Sequence, residues 1–179
     1  MTERTELEQV TLGVVWRDGP CTPYHVRKQF LASPTQTWSG SAGTIYPLMR
    51  RLEEQGHLKS EDAPGDGRKT RLYRITPAGR RALKRWMRPP LSPAAVGPGF
   101  DLIRARLLFF ESLSKAEQQK FLDVVAQQLK ETEAEMRSLM REIQACNKPI
   151  LTLAARGAHV VAKARRDWFK TVRDELGKT

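Results

Sequence analysis

The feature that most constrains this chain is the segment Ala42–Gly56, which predicts a helix with two unlike sides. Successive residues of a helix turn by about 100°, so apolar residues at helical spacing gather on one side. The residues on that side are Ile45, Leu48, Met49 and Leu52. The residues on the opposite side and its flanks are Gly43, Tyr46, Pro47, Arg50 and Arg51. Gly56 is placed to end the helix in the left-handed conformation that glycine adopts at little cost. Such a helix can pack on a small domain while its other side faces a partner.

A strongly basic stretch lies directly downstream. Residues 68–88 contain nine Lys or Arg and no Asp or Glu. The turn formers of residues 63–67 separate two short strand-like runs, His57–Asp62 and Lys69–Ile75, which predicts a hairpin. A helix with a basic outer side followed by a basic β-ribbon is typical of a winged helix-turn-helix. Clustering of one charge sign suits a polyanion, although a solvated basic surface is the alternative.

Charge and composition narrow the class of protein. The net charge of +11 divides into +7 over residues 1–88 and +4 over residues 89–179. No apolar run approaches membrane-spanning length, and residues 1–6 lack an apolar signal segment, so we expect a cytoplasmic protein without a membrane partner. Cys21 and Cys146 are interpreted as reduced thiols. No spacing of Cys, His or acidic residues fits a metal site, and no cofactor is expected.

Local signals place the other helices of the first half. Thr5 and Glu8 have the spacing of a capping box, which predicts a helix from about Glu6 to Arg17. A Thr-Pro pair, an N-cap followed by proline in the first turn, predicts a second helix over residues 22–32 and a fourth over residues 76–87. The residues expected in the core from the second helix are Tyr24, Val26 and Phe30.

Residues 88–99 contain four prolines and two glycines, and helix is not expected to persist there. We therefore predict a winged helix-turn-helix domain over residues 1–88, a linker over 89–99 and a helical domain over 100–179. The fold class is mainly α with one small β-hairpin. The C-terminal helices are expected at about Asp101–Leu113, from Ser114 to about Ala145, and from about Pro149 to Leu176.

The C-terminal helices carry more apolar surface than three helices can cover among themselves, which argues for a second copy of the chain. Long apolar stripes recur at helical spacing on the last two helices. The residues expected at this dimerisation surface are Phe121, Val125, Leu129, Met136, Leu139, Ile143, Val161, Trp168 and Val172.

Two motifs resemble the PadR family of bacterial transcriptional regulators. The first is Gly43-Thr44-Ile45-Tyr46-Pro47-Leu48-x-Arg50-Arg51-Leu52-Glu53-x-x-Gly56, and the second is Leu72-Tyr73-Arg74-Ile75-Thr76-Pro77-Ala78-Gly79-Arg80, followed by Trp86. Trp38, Gly157 and Trp168 are similar to residues of one branch of that family, whose helical C-terminal domain resembles that of virulence activators. One departure is Pro23 before Tyr24, where the family often has glycine.

The resemblance implies a winged-helix homodimer that binds double-stranded DNA at an inverted repeat, most often as a repressor. The residues expected at the DNA are Ser41, Thr44, Tyr46, Pro47, Arg50, Arg51, Arg68, Lys69 and Arg71. Arg50 and Arg51 are the candidates for contact with base edges; for Arg50 a base edge and a phosphate are equally favoured, and for Arg51 a phosphate is favoured over a base edge. Ser41 and Thr44 either bind phosphate at the helix start or only cap it, and Tyr46 either contacts phosphate or packs on its own domain.

Other functions remain as alternatives. Release by a small aromatic effector is a hypothesis, with aromatic packing as the competing interpretation. The residues suggested for such a ligand site are Trp86, Phe109, Phe110 and Trp168. An enzyme is not expected, because no nucleophile elbow, phosphate loop, metal spacing or dinucleotide fingerprint is present in the sequence. A winged helix that binds protein, or an activator without a ligand, is the alternative function.

Overall fold

The computed structural model describes residues 5–33, 40–62 and 70–177, and the chain divides into two compact units, residues 1–97 and 98–179. The elements of the first unit are α1 (Glu6–Asp18), α2 (Pro23–Leu31), α3 (Ala42–Glu54), β1 (Leu58–Asp62), β2 (Arg71–Ile75), α4 (Pro77–Met87) and the one-turn helix α5 (Pro93–Val96). The elements of the second unit are α6 (Leu102–Leu107), a 3₁₀ turn (Phe110–Ser112), α7 (Lys115–Ala145) and α8 (Pro149–Leu176). Within these ranges no helix has the length and apolarity needed to cross a bilayer.

The predicted capping box starts α1. The hydroxyl of Thr5 accepts a hydrogen bond from the backbone N–H of Glu8 at 3.3 Å, and the Glu8 carboxylate accepts one from the Thr5 N–H at 2.9 Å. Each interaction satisfies an N–H that the helix itself leaves unpaired. Leu12 and Val15 then carry the apolar face of α1 into the core.

The second helix starts as predicted, with Thr22 as N-cap and Pro23 in the first turn. Val26 and Phe30 are buried, but Tyr24 is 61% exposed, so its predicted core position is wrong. Tyr24 precedes Val26 by two residues, about 200° around the helix, and therefore points away from the face that Val26 and Phe30 share.

The predicted glycine stop of α3 is confirmed. Gly56 has φ +73°, its N–H donates to the carbonyl of Glu53 at 2.8 Å, and the N–H of His57 donates to that of Leu52 at 2.8 Å. These two bonds form a Schellman motif, which satisfies carbonyls that the helix end leaves unpaired. The chain then reverses directly into β1.

The hairpin pairs β1 and β2 antiparallel, with Lys59 opposite Arg74 and Ser60 opposite Tyr73. Tyr73 also forms an isolated antiparallel bridge with Cys21, two residues before α2, through hydrogen bonds of 3.1 and 2.9 Å between their backbones. Tyr73 is buried and Cys21 lies beside it in the core of the first unit. The hairpin is therefore fixed to the helices by its second strand.

Two sequence expectations about the middle of the chain are wrong. The segment 88–99 is not free of helix, because α5 forms one turn within it. The helix expected over Asp101–Leu113 is interrupted, since α6 ends at Leu107 and a separate 3₁₀ turn follows at Phe110. The interruption turns the Phe110 ring into the core, where its centroid lies 5.8 Å from that of Phe121.

The second unit is a long helical hairpin of α7 and α8 closed at one end by an aromatic core. Ser114 and Glu117 form the predicted capping box of α7. The buried residues of this core are Phe110, Leu122, Val125, Leu129 and Phe169.

A carboxylate lies one turn beyond this core. Glu133 is only 4% exposed, with its Oε1 2.8 Å from Nε2 of His159 and its Oε2 3.0 Å from Nη1 of Arg166. The hydrogen bond with His159 holds the pKa of the Glu133 carboxyl below its usual range, and the charges of Arg137 and Arg166 act in the same direction. Both strong partners come from α8, so the carboxylate joins the two helices.

Candidate nucleic-acid interface

The helix α3 has one buried side and one exposed side, as its sequence predicts. Ile45, Met49 and Leu52 are completely buried and Leu48 is 3% exposed. The exposed residues of the opposite side are Gly43, Tyr46, Pro47, Arg50 and Arg51. The burial anchors α3 by one face, which leaves the other face rigid and available to a partner.

The first turn of α3 combines a capped start with an absence of acidic residues. Ser41 is the N-cap, and its hydroxyl accepts a hydrogen bond from the Thr44 N–H at 3.2 Å while lying 2.8 Å from the Thr44 hydroxyl. The capping role expected for Ser41 is therefore present. The partial positive charge of a helix start favours a nearby phosphate.

Pro47 lies inside α3 and not at its start. A proline there has no N–H for the carbonyl of Gly43, and its ring crowds that carbonyl. Gly43 has no neighbour within 4 Å of the position of a Cβ atom. The surface above Gly43 and Pro47 is thus low and open, which suits close approach of another molecule.

The two neighbouring arginines of α3 differ in their surroundings. Arg50 is exposed, and its side chain has no ion pair or hydrogen bond within the ranges that the structure describes. Arg51 instead lies against the buried carboxylate of Glu8, with Nε 2.9 Å and Nη2 2.8 Å from the same oxygen. Because the other Glu8 oxygen caps α1, this pair locks α3 to the start of α1. Arg51 therefore has a structural partner that the sequence analysis did not anticipate.

A second carboxylate fixes the hairpin to α3. Oε1 of Glu53 accepts hydrogen bonds from the backbone N–H and the hydroxyl of Ser60, and Oε2 lies 3.3 Å from Nη1 of Arg71. One side chain thus joins α3 to both strands. Sequence reasoning predicted the capping role of Glu8 but missed its contact with Arg51 and the contacts of Glu53, because these depend on partners from other elements.

The remaining interface residues lie partly within the described residues and partly outside them. Arg71 is half exposed on β2 despite its contact with Glu53. Arg68 and Lys69, predicted at the hairpin tip, and Trp38 lie outside the described residues. Downstream, the exposed basic residues of α4 are Arg80, Arg81, Lys84 and Arg85. They add positive charge to the first unit without acidic neighbours in the helix.

The residues predicted for dimerisation occupy different environments in the second unit. Val125 and Leu129 are buried within the chain's own core and have almost no surface left for a partner. Val161 is 60% exposed on α8. The remaining members are partly buried along α7 and α8: Phe121, Met136, Leu139, Ile143, Trp168 and Val172.

The aromatic residues suggested for an effector site also differ in their surroundings and exposure. Trp86 belongs to the first unit and donates from its indole nitrogen to Glu6 at 3.2 Å. Phe109 is 71% exposed, whereas Phe110 is buried in the core of the second unit. Trp168 is partly buried, with its ring centroid 6.1 Å from that of Phe169. Phe110 and Trp168 therefore perform the packing role that was the competing interpretation.

Comparison with known proteins shows where this arrangement recurs. Residues 11–85 match the transcriptional regulator PadR-like family. A stretch of 43 residues is 58% identical to the transcriptional regulator Rv3488 of Mycobacterium tuberculosis. The match covers 24% of this chain and 40% of that protein, so the chain spans about two fifths of the length of the curated relative that it matches.

Solved structures resemble nearly the whole chain. Bacillus subtilis PadR in complex with operator DNA has a TM-score of 0.83 at 20% identity, covering 98% of this chain and 99% of that chain. The same protein in complex with p-coumaric acid has a TM-score of 0.76 at 20% identity, with 96% and 98% covered. The Vibrio cholerae virulence activator AphA has a TM-score of 0.70 at 24% identity, with 97% and 99% covered. At these identities the likeness establishes the fold.

The predicted fold class, a winged helix followed by a helical unit, is confirmed by these structures. The family matched by residues 11–85 comprises transcriptional regulators and not enzymes, in agreement with the resemblance that the sequence motifs predicted. The chain therefore carries, over residues 11–85, a segment that matches the PadR-like family of transcriptional regulators.

Proposed function

We propose that this protein is a homodimeric repressor that binds an inverted-repeat operator and leaves it when a small molecule binds. The observation that supports DNA binding most strongly is that α3 has one buried face and one exposed face. The first turn of α3 contains no acidic residue, and no large side chain rises above the surface at Pro47. As a regulator of transcription it would act in the bacterial cytoplasm.

In the proposed complex, α3 enters the major groove with its N-terminal end first. Arg50 has no competing acid in the described chain and reaches a base edge or a phosphate. Ser41 and Thr44 bring the capped start of α3, with its partial positive charge, toward a phosphate, while Tyr46 and Pro47 line the contact surface.

The hairpin supplies the second part of the proposed contact. Arg71, Arg68 and Lys69 bind phosphates or the minor groove beside α3. Glu53 supports this arrangement, because its contacts with Ser60 and Arg71 fix the hairpin relative to α3. Arg51 is assigned a phosphate contact in addition to its bond with Glu8, since half of its side chain is exposed.

Dimerisation would place two α3 helices about 34 Å apart, one turn of DNA, and so match a near-palindromic operator. The proposal is supported by the apolar surface that α8 leaves exposed, with Val161 at 60%, Leu153 at 58% and Ile150 at 76%. Val161→Asp is expected to convert dimers into monomers in analytical ultracentrifugation. Val124→Asp, a substitution of an exposed valine outside the predicted set, serves as the matched control.

Release by an effector is the third part of the proposal. It is supported by the p-coumaric acid complex of Bacillus subtilis PadR, which has the same fold. The sequence candidates for ligand contact remain Trp86, Phe109, Phe110 and Trp168, of which Phe109 has the most exposed ring in the second unit's set. Titration of aromatic acids against an operator complex would test this part separately.

The decisive experiment is footprinting of the purified protein on the DNA upstream of its own gene. A protected inverted repeat whose occupancy falls as salt rises is expected. Failure of every duplex to shift at low ionic strength would favour the alternative, a winged helix that binds protein. Loss of transcription after gene deletion, in place of a gain, would identify an activator.

A further inference from the structure

The helix α4 has an outer side of one charge sign that the proposed operator contact does not use. Gly79, Ala82 and Leu83 are buried against the rest of the first unit, and the exposed residues opposite them are cations, apart from Pro77 in the first turn. Met87 is also exposed, but it lies at the edge of the buried side. The cations form what we call the α4 surface: Arg80, Arg81, Lys84, Arg85 and, at the C-cap, Arg88.

No acid of the described chain neutralises the α4 surface, because none of its side chains forms an ion pair or a hydrogen bond there. Glu6 does contact α4, but it accepts from the indole nitrogen of Trp86 at 3.2 Å, outside the row of cations. The long helices of the second unit differ, since α8 pairs Arg166 with Asp167 at 2.6 Å. A surface needed only for solubility usually mixes its charge signs in this way.

The stability of α4 does not account for these cations. Arg80 and Lys84, and likewise Arg81 and Arg85, are four residues apart, a spacing at which like charges repel and destabilise a helix. Lys84 and Arg85 lie in the last turn, where the helix end favours positive charge. Arg80 and Arg81 lie too far from that end to gain from it. The α4 surface therefore favours an anion from outside the chain.

The α4 surface and the exposed face of α3 lie on different sides of the first unit, with α1 between the two helices. Glu8 of α1 contacts Arg51 of α3, whereas Gly13 of α1 lies against Leu83 of α4. Glu8 and Gly13 are five residues apart, which places them about 140° apart around α1. DNA is stiff over about 150 base pairs, so a duplex that lies on α3 does not fold back around this small unit to reach the α4 surface.

The spacing and chemistry of the α4 surface fit a nucleic-acid backbone better than an acidic protein. The 11 residues of α4 extend over about 16 Å, with cations repeating every four residues, about 6 Å. A DNA duplex carries one phosphate charge for about every 1.7 Å of its axis, so a helix of this length faces several phosphates. A protein partner is usually held by buried aromatic and apolar anchors, and the row of cations contains none.

We propose that the α4 surface binds a second DNA duplex through its phosphates, independently of sequence, while α3 holds the operator. Guanidinium groups suit this contact, because they can pair with a phosphate through two hydrogen bonds. A protein that holds two duplexes would bring separate segments of DNA together. Duplex binding by α4 depends on none of the residues assigned to the operator, and only the simultaneous occupation of α3 rests on the proposed function.

A capture experiment with the full-length protein tests the proposal. Beads that carry the operator duplex are loaded with protein, washed, and then incubated with a fluorescent duplex of unrelated sequence. We expect the fluorescent duplex to be retained on loaded beads and not on beads without protein. Retention should fall as salt rises, because each phosphate contact releases counterions.

Two triple variants with the same loss of charge separate the α4 surface from the overall charge of the protein. The α4 variant replaces Arg81, Lys84 and Arg85 by Gln, and the control variant replaces the exposed Lys115, Lys120 and Lys130 of α7 by Gln. We expect the α4 variant to retain at least tenfold less of the fluorescent duplex, and the control variant to retain as much as the unmodified protein. In a gel shift, the two variants should differ little in operator affinity.

Thermal unfolding checks that the α4 variant is folded. Glutamine is a good helix former, and the substitutions remove repulsion between like charges, so the unfolding temperature should not fall. Lower retention by a protein of unchanged unfolding temperature is then a loss of the contact itself.

The proposal is overturned if loaded beads retain no second duplex, which would leave an acidic protein as the partner, or if the two variants retain it equally. A tenfold loss of operator affinity in the α4 variant alone would assign α4 to the operator contact and also overturn it. If no operator exists and the proposed function fails, a gel shift with an unrelated duplex still tests α4. The α4 variant should then bind that duplex at least tenfold more weakly than the control variant, and equal binding would overturn the proposal.

Discussion

Glu53, in the last turn of α3, accepts hydrogen bonds from the backbone N–H and the hydroxyl of Ser60 in β1 at 3.0 and 2.6 Å. An acidic residue near a DNA-binding surface repels phosphates. If the negative charge were its only effect, replacing Glu53 by a neutral residue would therefore raise the affinity for DNA. We expect Glu53→Ala to lower operator affinity by about tenfold, because it frees the hairpin from α3, and to cost about 1–2 kcal/mol of stability. A gel shift measures the first effect.

The matched control for this prediction is Glu54→Ala. Glu54 is exposed beside Glu53 and has no partner in the described chain, so its removal changes only the charge. Equal or higher affinity is expected for this variant. If both substitutions raised operator affinity to the same extent, the positioning role of Glu53 would be refuted.

The second prediction concerns base readout by Arg50. Arg50→Ala should weaken operator binding by about 1–3 kcal/mol and relax the base preference at one position of each half-site. Lys69→Ala should weaken binding to all duplexes alike and flatten the salt dependence. Arg156→Ala, an exposed arginine of α8, is the control. Equal losses on every sequence for Arg50→Ala would assign Arg50 to phosphate.

The third prediction separates a structural from a DNA-binding role for Arg51. Arg51→Ala leaves the buried Glu8 carboxylate without its guanidinium partner, and should lower the unfolding free energy by about 1–3 kcal/mol in urea denaturation. In the Glu8→Gln background the same change should cost much less, since no buried charge remains unpaired. Additive losses in the two variants would show that the pair contributes nothing to stability.

The fourth prediction compares two glycines. A Cβ at Gly79 would meet the carbonyl oxygen of His57 and the side chain of Ile75, so Gly79→Ala should cost about 1–3 kcal/mol. A Cβ at Gly13, inside α1, has only an ordinary contact 3.8 Å from Leu83, so Gly13→Ala should stabilise by up to about 1 kcal/mol. Thermal unfolding measures both, and destabilisation by Gly13→Ala would contradict the prediction.

The fifth prediction is a loss of stability in acid through Asp18. The hydrogen bond from Arg17 at 2.6 Å, with a further one from His25, lowers the pKa of the Asp18 carboxyl to about 2 from 3.8. A carboxyl whose pKa is lower in the folded state contributes stability above about pH 4, which is lost as the pH falls toward 2. Asp18→Asn should remove this part of the dependence, so urea denaturation across that range should give a shallower curve. Identical curves would refute it.

The sequence predicted the parts of the fold that depend on neighbouring residues. The capping boxes at Thr5 and Ser114 and the glycine stop at Gly56 are confirmed, because each requires only a residue type at a fixed offset. The break after Leu107 was not predicted, because the apolar run around it is equally compatible with a continued helix. The break depends on the contact of the Phe110 ring with Phe121, a residue of another helix.

The site followed the same division. The spacing of the apolar residues predicted the exposed side of α3, whereas it did not predict the partners of Arg51 and Arg71. Those two arginines meet Glu8 and Glu53 only after separate elements pack together. A basic residue in a predicted interface can thus pair with an acid from another element, and the separation of the two residues in the sequence does not indicate this pairing.

The carboxylate of Glu133 restricts how the two long helices of the second unit can lie against each other. Apolar and small side chains tolerate sliding by one turn, since another apolar residue then takes each vacated place. Sliding would break the contacts of Glu133 with His159 and Arg166 and leave its buried carboxylate with the weaker contact to Arg137 of its own helix, 4.0 Å away, which is costly. One alignment is therefore selected, and with it the set of side chains that the outer surface of the pair displays.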